Sequence, residues 1–395
     1  MMDSTLKYMV IGVGNAGSQA AVQAMKYGFP SIVINSSDKD LDKNVITNQI
    51  NALMIGGRRG AGRNRDTAKE FLKQDLQNIF STEGFIHPVQ EADVIFVTAS
   101  TAGGTGSGCA PLLVNRLQTM FPQKIVIFYG ILPKLSEAPQ AQFNTLECMK
   151  EVTNKKKPMT YMLADLAAYE NDPAEVAYEK ICKYIADNLC VLRGDMMHQS
   201  PYGMIDENDL LTIIGETGYM AVYSIHNVTQ TALEKDTSQR LLIRQIQDSP
   251  TVRIQMDKHV MKMGVIIDAP AGINDESKNA NFQELEAYTG VPLDVFMNYS
   301  ISETGRGDIS LIMSGCSAPM DRLTMCTEIA EKARAQFEDS ATTTVSDEIE
   351  VLDFMTNRKK NNTVAARTKA LNANRSTAAA SISSISTDID DDIFG

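Results

Sequence analysis

The chain is 395 residues long, which predicts two or three domains. Hydrophobic residues make up 43% and charged residues 22%, a globular composition that excludes collagen-like and wholly disordered chains. The net charge of −12 argues against a body that binds nucleic acids in general.

No run of about 18 uncharged apolar residues occurs, so no membrane-spanning helix is expected. The opening MMDSTLKYMVIGVG meets an acid early and then a strand-like run, so it does not read as a signal peptide. Cys109, Cys148, Cys182, Cys190, Cys316 and Cys326 are scattered without a CxxC pair. They read as reduced, mostly buried thiols of a cytosolic protein. The four histidines show neither HxxxH nor HExxH spacing, which argues against a zinc site.

In chain order, strand-like apolar runs occupy 7–13, 31–36, 93–99, 124–130 and 159–163. Helical spacing of apolar residues marks 65–80 and 110–121. Alternating strands and helices predict a parallel sheet covered on both faces, which the near-continuous apolar strands fit. A long helix is expected over 173–193, stopped at Gly194, and a polar loop then leads into DENDLLTIIGETG. Beyond about residue 215, the runs 218–225, 260–268, 294–301 and 308–315 read as strands of a smaller sheet. Helical segments 230–247 and 281–289 lie between them, and the last two strands read as a hairpin. An amphipathic helix is expected over 319–340, with Leu323, Cys326, Ile329, Ala330 and Ala333 on one stripe.

From about residue 356 the chain is rich in Asn, Ala, Ser and Thr and reads as a disordered tail. Six basic residues (Arg358, Lys359, Lys360, Arg367, Lys369, Arg375) precede Asp388, Asp390, Asp391 and Asp392. That leaves +2 on residues 358–395 and −14 on residues 1–357. The plainer reading of this tail is a solubilising one. The charge switch and the isolated Ile389, Ile393 and Phe394 suggest instead that it binds a partner or a neighbouring copy.

Three glycine-rich loops carry the chemistry. Gly12-Val13-Gly14-Asn15-Ala16-Gly17 follows a strand and opens a helix, with Asp38 some twenty residues on, as in the dinucleotide-binding pattern. Glycines let the backbone approach a phosphate, and the helix start adds N–H donors and a positive dipole end. Alone, this loop also fits a ligand-free tight turn. Ala102-Gly103-Gly104-Thr105-Gly106-Ser107-Gly108 is more specific, because a mere linker does not sit between a buried strand and a helix. Neither loop holds a Lys, which excludes a Walker A site. Gly56 to Arg65 adds cations to more glycine, with a solvated basic loop as the plainer alternative. Three such loops suggest one polyphosphate cradled from several sides, whereas a dinucleotide oxidoreductase needs only the first.

These motifs resemble those of the tubulin/FtsZ superfamily of GTPases, over about residues 7–355. AGGTGSG (102–108) is similar to the tubulin signature loop, usually GGGTG[ST]G. The resemblance is greatest to the TubZ proteins of bacterial plasmids and phages. INSSDKDLD (34–42), TASTAGGTGSG (98–108), ILPK (131–134) and MIDENDLL (204–211) carry it. It implies an α/β fold with a Rossmann-like parallel-sheet GTPase domain (1–172) and a long central helix with an acidic loop (173–212). A smaller α+β C-terminal domain ending in a long helix (213–355) and a disordered tail (356–395) complete the organisation.

The resemblance implies GTP or GDP with Mg²⁺ as ligand and no metal site built by the chain alone. Gly12, Gly14, Asn15, Ala16, Gly17 and Ser18 would form the first phosphate loop. Asn35 and Asp38 would lie near the nucleotide in the second. Gly60, Ala61, Gly62 and Arg63 would face the γ-phosphate, and Ala102, Gly103, Gly104, Thr105, Gly106 and Ser107 would wrap the α- and β-phosphates. Pro133 and Glu137 would flank the ribose. Asp165 falls where relatives usually have an Asn that recognises guanine, and a carboxylate still accepts from the guanine N1–H and N2–H₂. Tyr178, on the long helix, is the candidate for a second base contact.

Met204-Ile205-Asp206-Glu207-Asn208-Asp209-Leu210 matches the family's NxDxxD pattern at Asp206 and Asp209, with Met204 in place of the Asn. As a plain feature, such a cluster is a good helix start. The resemblance implies that these two aspartates are catalytic and act in the nucleotide pocket of the next subunit of a head-to-tail filament. The implied partners are therefore other copies of the chain and, through the tail, a DNA-bound adaptor. No membrane is implied, and direct DNA contact would fall to the basic tail segment. The implied role is to position plasmid or phage DNA in the cytoplasm of a bacterial host. The competing readings are an FtsZ-like cell-division GTPase, a nucleotide-dependent filament scaffold with little hydrolysis, and an NAD-dependent oxidoreductase. The last leaves AGGTGSG and DENDLL unexplained.

Overall fold

The computed structural model describes residues 6–198, 204–233, 246–254, 260–270, 283, 286–287, 290–302 and 305–343. Residues 1–329 form one compact unit and residues 330–395 a second, of which 330–343 are described, as helix. The first half runs β1 (Tyr8–Val13), α1 (Gly14–Lys26), β2 (Ser31–Asn35), α2 (Asp38–Asn48), β3 (Asn51–Met54), α3 (Arg65–Ser81), α4 (Glu83–Glu91), β4 (Val94–Ser100), α5 (Thr105–Met120), β5 (Ile125–Leu132), α6 (Pro139–Val152) and β6 (Thr160–Asp165). There follow α7 (Ala174–Arg193), α8 (Glu207–Ile214), β7 (Gly218–Thr229), β8 (Lys262–Pro270), β9 (Asp294–Ser302), β10 (Arg306–Cys316) and α9 (Met320–Thr343).

The ten strands form one sheet in the order β3-β2-β1-β4-β5-β6-β7-β10-β8-β9. Its first six follow the doubly wound order 3-2-1-4-5-6, all parallel. β1, β4 and β5 are buried on both faces, which is why they read as unbroken apolar runs. One face packs Leu72, Leu113, Val114 and Cys148, from α3, α5 and α6. The other packs Ala20, Ala24, Ile181, Ile185 and Leu189, from α1 and α7. The expected Rossmann-like α/β architecture is therefore present, and α7 ends at Gly194, whose φ of 85° is the left-handed cap.

Two expectations differ. The strands beyond residue 215, expected as a separate smaller sheet, continue the first sheet. The join is short: β6 and β7 pair only at Thr160–Gly218 and Tyr161–Tyr219. The expected hairpin between the last two strands is also absent. β10 pairs antiparallel with β7 on one side and β8 on the other, and β9 pairs parallel with β8. β10 starts tight against β8, since a Cβ on Gly307 would stand 1.9 Å from Asp268 O. Burial explains the order: β10 is buried nearly throughout and takes the inner position, while β9 stays at the edge. Most of the helical segments expected at 230–247 and 281–289, and the whole tail from 356, lie outside the described residues.

Candidate functional site

In a doubly wound sheet the crevice opens where the strand order reverses, outside the carboxyl ends of the strands. Here the reversal falls between β1 and β4, and the loops that follow these strands are the first and second glycine loops. They touch: a Cβ on Gly14 would stand 2.9 Å from Gly106 N, and Gly14 holds a φ of 73°. α1 and α5 both begin here, so two helix N-termini face one point.

A cleft of about 440 Å³ opens at this point, within the usual size range of small-molecule sites. Of the residues expected at the nucleotide, Gly14, Asn15, Ala16, Asn35, Gly60, Ala61, Gly62, Arg63, Ala102, Gly103, Gly104, Thr105, Gly106, Glu137 and Tyr178 line it. Val13, Gln19, Ser37, Asp40, Ser100 and Ala141 line it as well and carried no sequence signal of their own.

The remaining expected residues do not line the cleft, each for a visible reason. A Cβ on Gly12 would meet Gly17 O at 2.3 Å, and one on Gly17 would meet Thr98 O at 2.2 Å. These two glycines let α1 pack tightly against β1 and β4. Ser18 is buried and donates to Gly14 O at 2.7 Å, and Ser107 is buried and donates to Gly103 O. Asp38 starts α2, and its carboxylate accepts from Lys39 N. Pro133 is held away from the lining by its carbonyl, which accepts from Arg322 Nη2 at 2.7 Å. Asp165 accepts from Arg322 through both oxygens, Nε to Oδ2 at 2.6 Å and Nη2 to Oδ1 at 3.1 Å. It also caps the turn after β6 by accepting from Ala167 N. The carboxylate expected at the base is thus committed to a buried guanidinium.

The loops are held together by partners distant in sequence. Gly60 N donates to Ser36 O at 2.8 Å, tying the basic loop to the end of β2. Asn144 Nδ2, from α6, donates to Ala102 O at 2.9 Å and to Arg63 O at 3.1 Å. Arg65 Nη2 donates to Ser107 O and pairs with Glu151. The basic loop holds left-handed residues at Arg58, Gly60, Gly62 and Arg63, and non-glycine residues keep that conformation only where neighbours impose it. Cys109 lies beneath the second glycine loop with its thiol on Ala68 O. Burial pushes its pKa up to about 12, so it packs there as a neutral group.

Two features fit an anionic, polar ligand. Asn35 is 1% exposed, and its Oδ1 accepts from Ser36 N and Ser37 N, so its amide nitrogen is the free donor. That nitrogen has no hydrogen-bond partner among the described residues. Arg63 lines the cleft and forms no ion pair among the described residues. Also in the lining, burial and then the charge of Glu137 push the Tyr178 phenol up to about 12, which keeps it a neutral donor. No group of three or more His, Cys, Asp or Glu among the described residues is arranged to hold a metal ion. No helix among them is long and apolar enough to cross a membrane.

Asp206 and Asp209 lie elsewhere. Asp206 caps α8 by accepting from Asp209 N at 2.8 Å, and Asp209 accepts from Asp206 N at 3.1 Å, a reciprocal capping box.

A cleft of this size at the switch point of a doubly wound sheet, walled by glycine loops, stands where proteins of this α/β class bind their ligands. Residues 7–161 match the Tubulin/FtsZ family, GTPase domain, and the chain carries a domain of that family. It is 24% identical over 220 residues to the tubulin-like protein CetZ of Thermococcus kodakarensis, 55% of this chain and 58% of that protein. It is equally 24% identical over 219 residues to the tubulin-like protein TubZ of Clostridium botulinum C phage, 54% and 57% respectively. Neither match reaches two thirds of the relative's length. The fold is similar to the GTPγS-bound protofilament of CetZ2 from Haloferax volcanii, with a TM-score of 0.68, 21% identity, and coverage of 83% of this chain and 100% of that one.

Proposed function

We propose that the chain binds GTP in this cleft and hydrolyses it on assembling head to tail, with Asp206 and Asp209 of one copy completing the cleft of the next. One observation carries the reading: the two motifs stand at opposite ends of one body. Tyr178, near the start of α7, lines the cleft, while Leu192, near its end, accepts from Tyr8 Oη at 2.9 Å. Fourteen helical residues separate them, about 21 Å. Tyr8 in turn lies within electrostatic reach of Glu207, in the acidic loop. Carboxylates that far from the cleft cannot serve it within the same chain.

The two ends also complement each other. The cleft end carries Arg58, Arg59 and Arg63, with the exposed apolar residues Leu135, Phe143 and Val176 beside it. The opposite end carries Asp206, Glu207 and Asp209, with exposed Met204 beside them and Val291 and Leu293 before β9. Opposite, non-identical faces of this kind make a heterologous contact, which propagates into open filaments. The protofilament form of the structurally similar CetZ2 supports self-association.

In the assembled site, Gly103 leaves room for phosphates against the backbone, while Gly14 and Gly104 let the glycine loops and the basic loop pack closely around it. Asn35 and Arg63 supply a donor and a charge. Asp206 and Asp209 of the incoming copy orient and polarise the attacking water, and positioning with charge stabilisation is most of what phosphoryl transfer needs. Mg²⁺, when bound with the nucleotide, neutralises phosphate charge, and Asp40 and Glu137 are the carboxylates that line the cleft. The likeness to TubZ supports a filament that positions plasmid or phage DNA in a bacterial cytoplasm, through an adaptor docked on residues 356–395. A scaffold with little hydrolysis is the second reading. Met204 in place of the Asn favours it, as does the capping box that engages both aspartates.

The test is GTPase rate against protein concentration, with light scattering recorded alongside. A threshold followed by a rising specific rate, with scattering that decays as GTP runs out, is the expected result. Scattering without turnover favours the scaffold. A flat specific rate, or no response to GTP, overturns the assembly-dependent GTPase.

A further inference from the structure

Arg322 lies in the first turn of α9, far in sequence from every loop of the cleft. It is 8% exposed, and each nitrogen of its guanidinium has a partner. Beyond the two bonds to Asp165, Nη2 donates to Pro133 O at 2.7 Å and Nη1 contacts Cys326 Sγ at 3.0 Å. A guanidinium forked onto a carboxylate fixes direction as well as distance, and a buried fork leaves neither partner an alternative in water. The third contact, to Pro133 O, therefore fixes where the chain leaves β5.

The segment leaving β5 forms the wall of the cleft at its end, where Glu137 lines it. Leu135 N and Ser136 N donate to the Glu170 carboxylate at 2.9 and 3.0 Å. Lys134 O accepts from Gln142 Nε2, and Lys134 N donates to the Glu137 carboxylate at 3.2 Å. Glu137, at the far end of this turn, lines the cleft, as does Arg63. Every step from Pro133 to Glu137 is thus pinned by a named partner, and the partner at the origin is Arg322. Strand pairing joins the two halves of the sheet only through two residue pairs, so the Arg322 contacts are an additional tie between β10–α9 and the nucleotide half.

We infer that Arg322, clasped to Asp165, is a positioning residue that holds the Pro133–Glu137 wall and sets nucleotide affinity from outside the cleft. The inference rests on the reading of the cleft as a GTP site. It also accounts for an acid at position 165: the carboxylate serves Arg322.

Asp165→Asn and Arg322→Lys separate this role from a merely structural ion pair. Asp165→Asn keeps the acceptor for Ala167 N and removes the charge. Arg322→Lys keeps the charge and removes the fork. Affinity for a fluorescent GTP analogue, amide hydrogen exchange over 131–138, and melting temperature are read on the full chain. Arg193→Lys serves as control, because Arg193 forks onto Asp195 at the opposite end of α7. The dissociation constant is expected to rise about tenfold in Asp165→Asn and less in Arg322→Lys, roughly the loss of one positioning contact. Exchange over 131–138 is expected to quicken in the same order. Arg193→Lys lowers melting temperature without changing either. Wild-type affinity and wild-type exchange in both clasp variants, with melting temperature alone reduced, overturn the inference. If the wild-type chain binds no GTP analogue, the GTP reading fails, and the exchange measurement still decides whether Arg322 orders the wall.

Discussion

Ser36 Oγ and Thr105 Oγ1 stand 2.7 Å apart, a contact between the end of β2 and the first turn of α5 that crosses the edge of the cleft. It joins the second loop to the tubulin-like glycine loop, and Gly60 N reaches the backbone oxygen of the same Ser36. Three loops from three strands therefore meet at one serine. Thr105→Ala removes the bridging hydroxyl from a residue that also lines the cleft. Its expected cost is about 1 kcal/mol, a five- to tenfold weaker affinity for a GTP analogue. Ser36→Ala is expected to match it, and the double variant to be less than additive, because both single changes remove the same bond. Fully additive losses in calorimetric titration would show that the contact does not matter.

The glycines divide into two kinds. Around Gly103 no atom lies within 4 Å of an added Cβ, whereas on Gly17 a Cβ would stand 2.2 Å from Thr98 O. Gly103→Ala is expected to leave stability within about 0.5 kcal/mol and to weaken nucleotide binding tenfold or more, by filling space at the phosphates. Gly17→Ala is expected to destabilise the fold by about 2–3 kcal/mol through overpacking of α1 on β4. Urea unfolding and nucleotide titration on both variants check the division. Equal destabilisation by the two changes would refute it.

Asp206 has a local duty as helix cap and a proposed duty in a neighbouring copy, and one substitution separates them. Asn caps helices as well as Asp does, so Asp206→Asn is expected to keep α8 within a few tenths of a kcal/mol. Asp206→Ala is expected to lose about 1 kcal/mol. If the carboxylate acts on water in the next copy, Asp206→Asn assembles on GTP, turns over at least about 100-fold more slowly and does not disassemble. Wild-type turnover in Asp206→Asn would remove the charge from the mechanism and leave the cap.

Much of this site was legible because its parts are local. A glycine loop between an apolar strand and a helical pattern says what it is from adjacent residues, and Gly14, Gly103, Gly104 and Arg63 were readable that way. β3 was not, because Asn51-Ala52-Leu53-Met54 is short and lacks β-branched residues. α5 begins inside the glycine loop, at Thr105, since the backbone turns helical before the apolar spacing does. The β9–β10 hairpin expectation failed because loop length alone cannot show that β8 lies between the two strands. Contacts at long sequence separation left no trace at all. Asn144 clamps Ala102 and Arg63, and Arg322 meets Asp165 across 157 residues. No spacing rule joins such pairs, and only the finished sheet does.

The cysteines make alkaline pH a sensitive probe of the fold. None of the six is paired with another. Burial pushes the thiols of Cys109, Cys148, Cys182 and Cys316 from an ordinary 9.0 up to about 12. A folded-state value above the unfolded one means that the stabilisation is fully present below pH 9. It is lost as pH rises from 9 toward 12, because the unfolded chain releases protons that the folded chain retains. Each thiol then costs about 1.4 kcal/mol per pH unit, so the four together remove about 5 kcal/mol by pH 10. That is comparable with the whole stability of many domains. Under reducing conditions the urea midpoint is expected to hold from pH 7 to 8.5 and to fall steeply beyond pH 9.5. Replacing Cys182 and Cys316 by Ala is expected to lower the midpoint at pH 7.5 through the cavities left, yet to make the alkaline slope shallower, with Cys190 and the buried tyrosines keeping part of it. A midpoint unchanged to pH 10.5, or an unchanged slope in the double variant, would mean that these thiols do not hold their protons in the core.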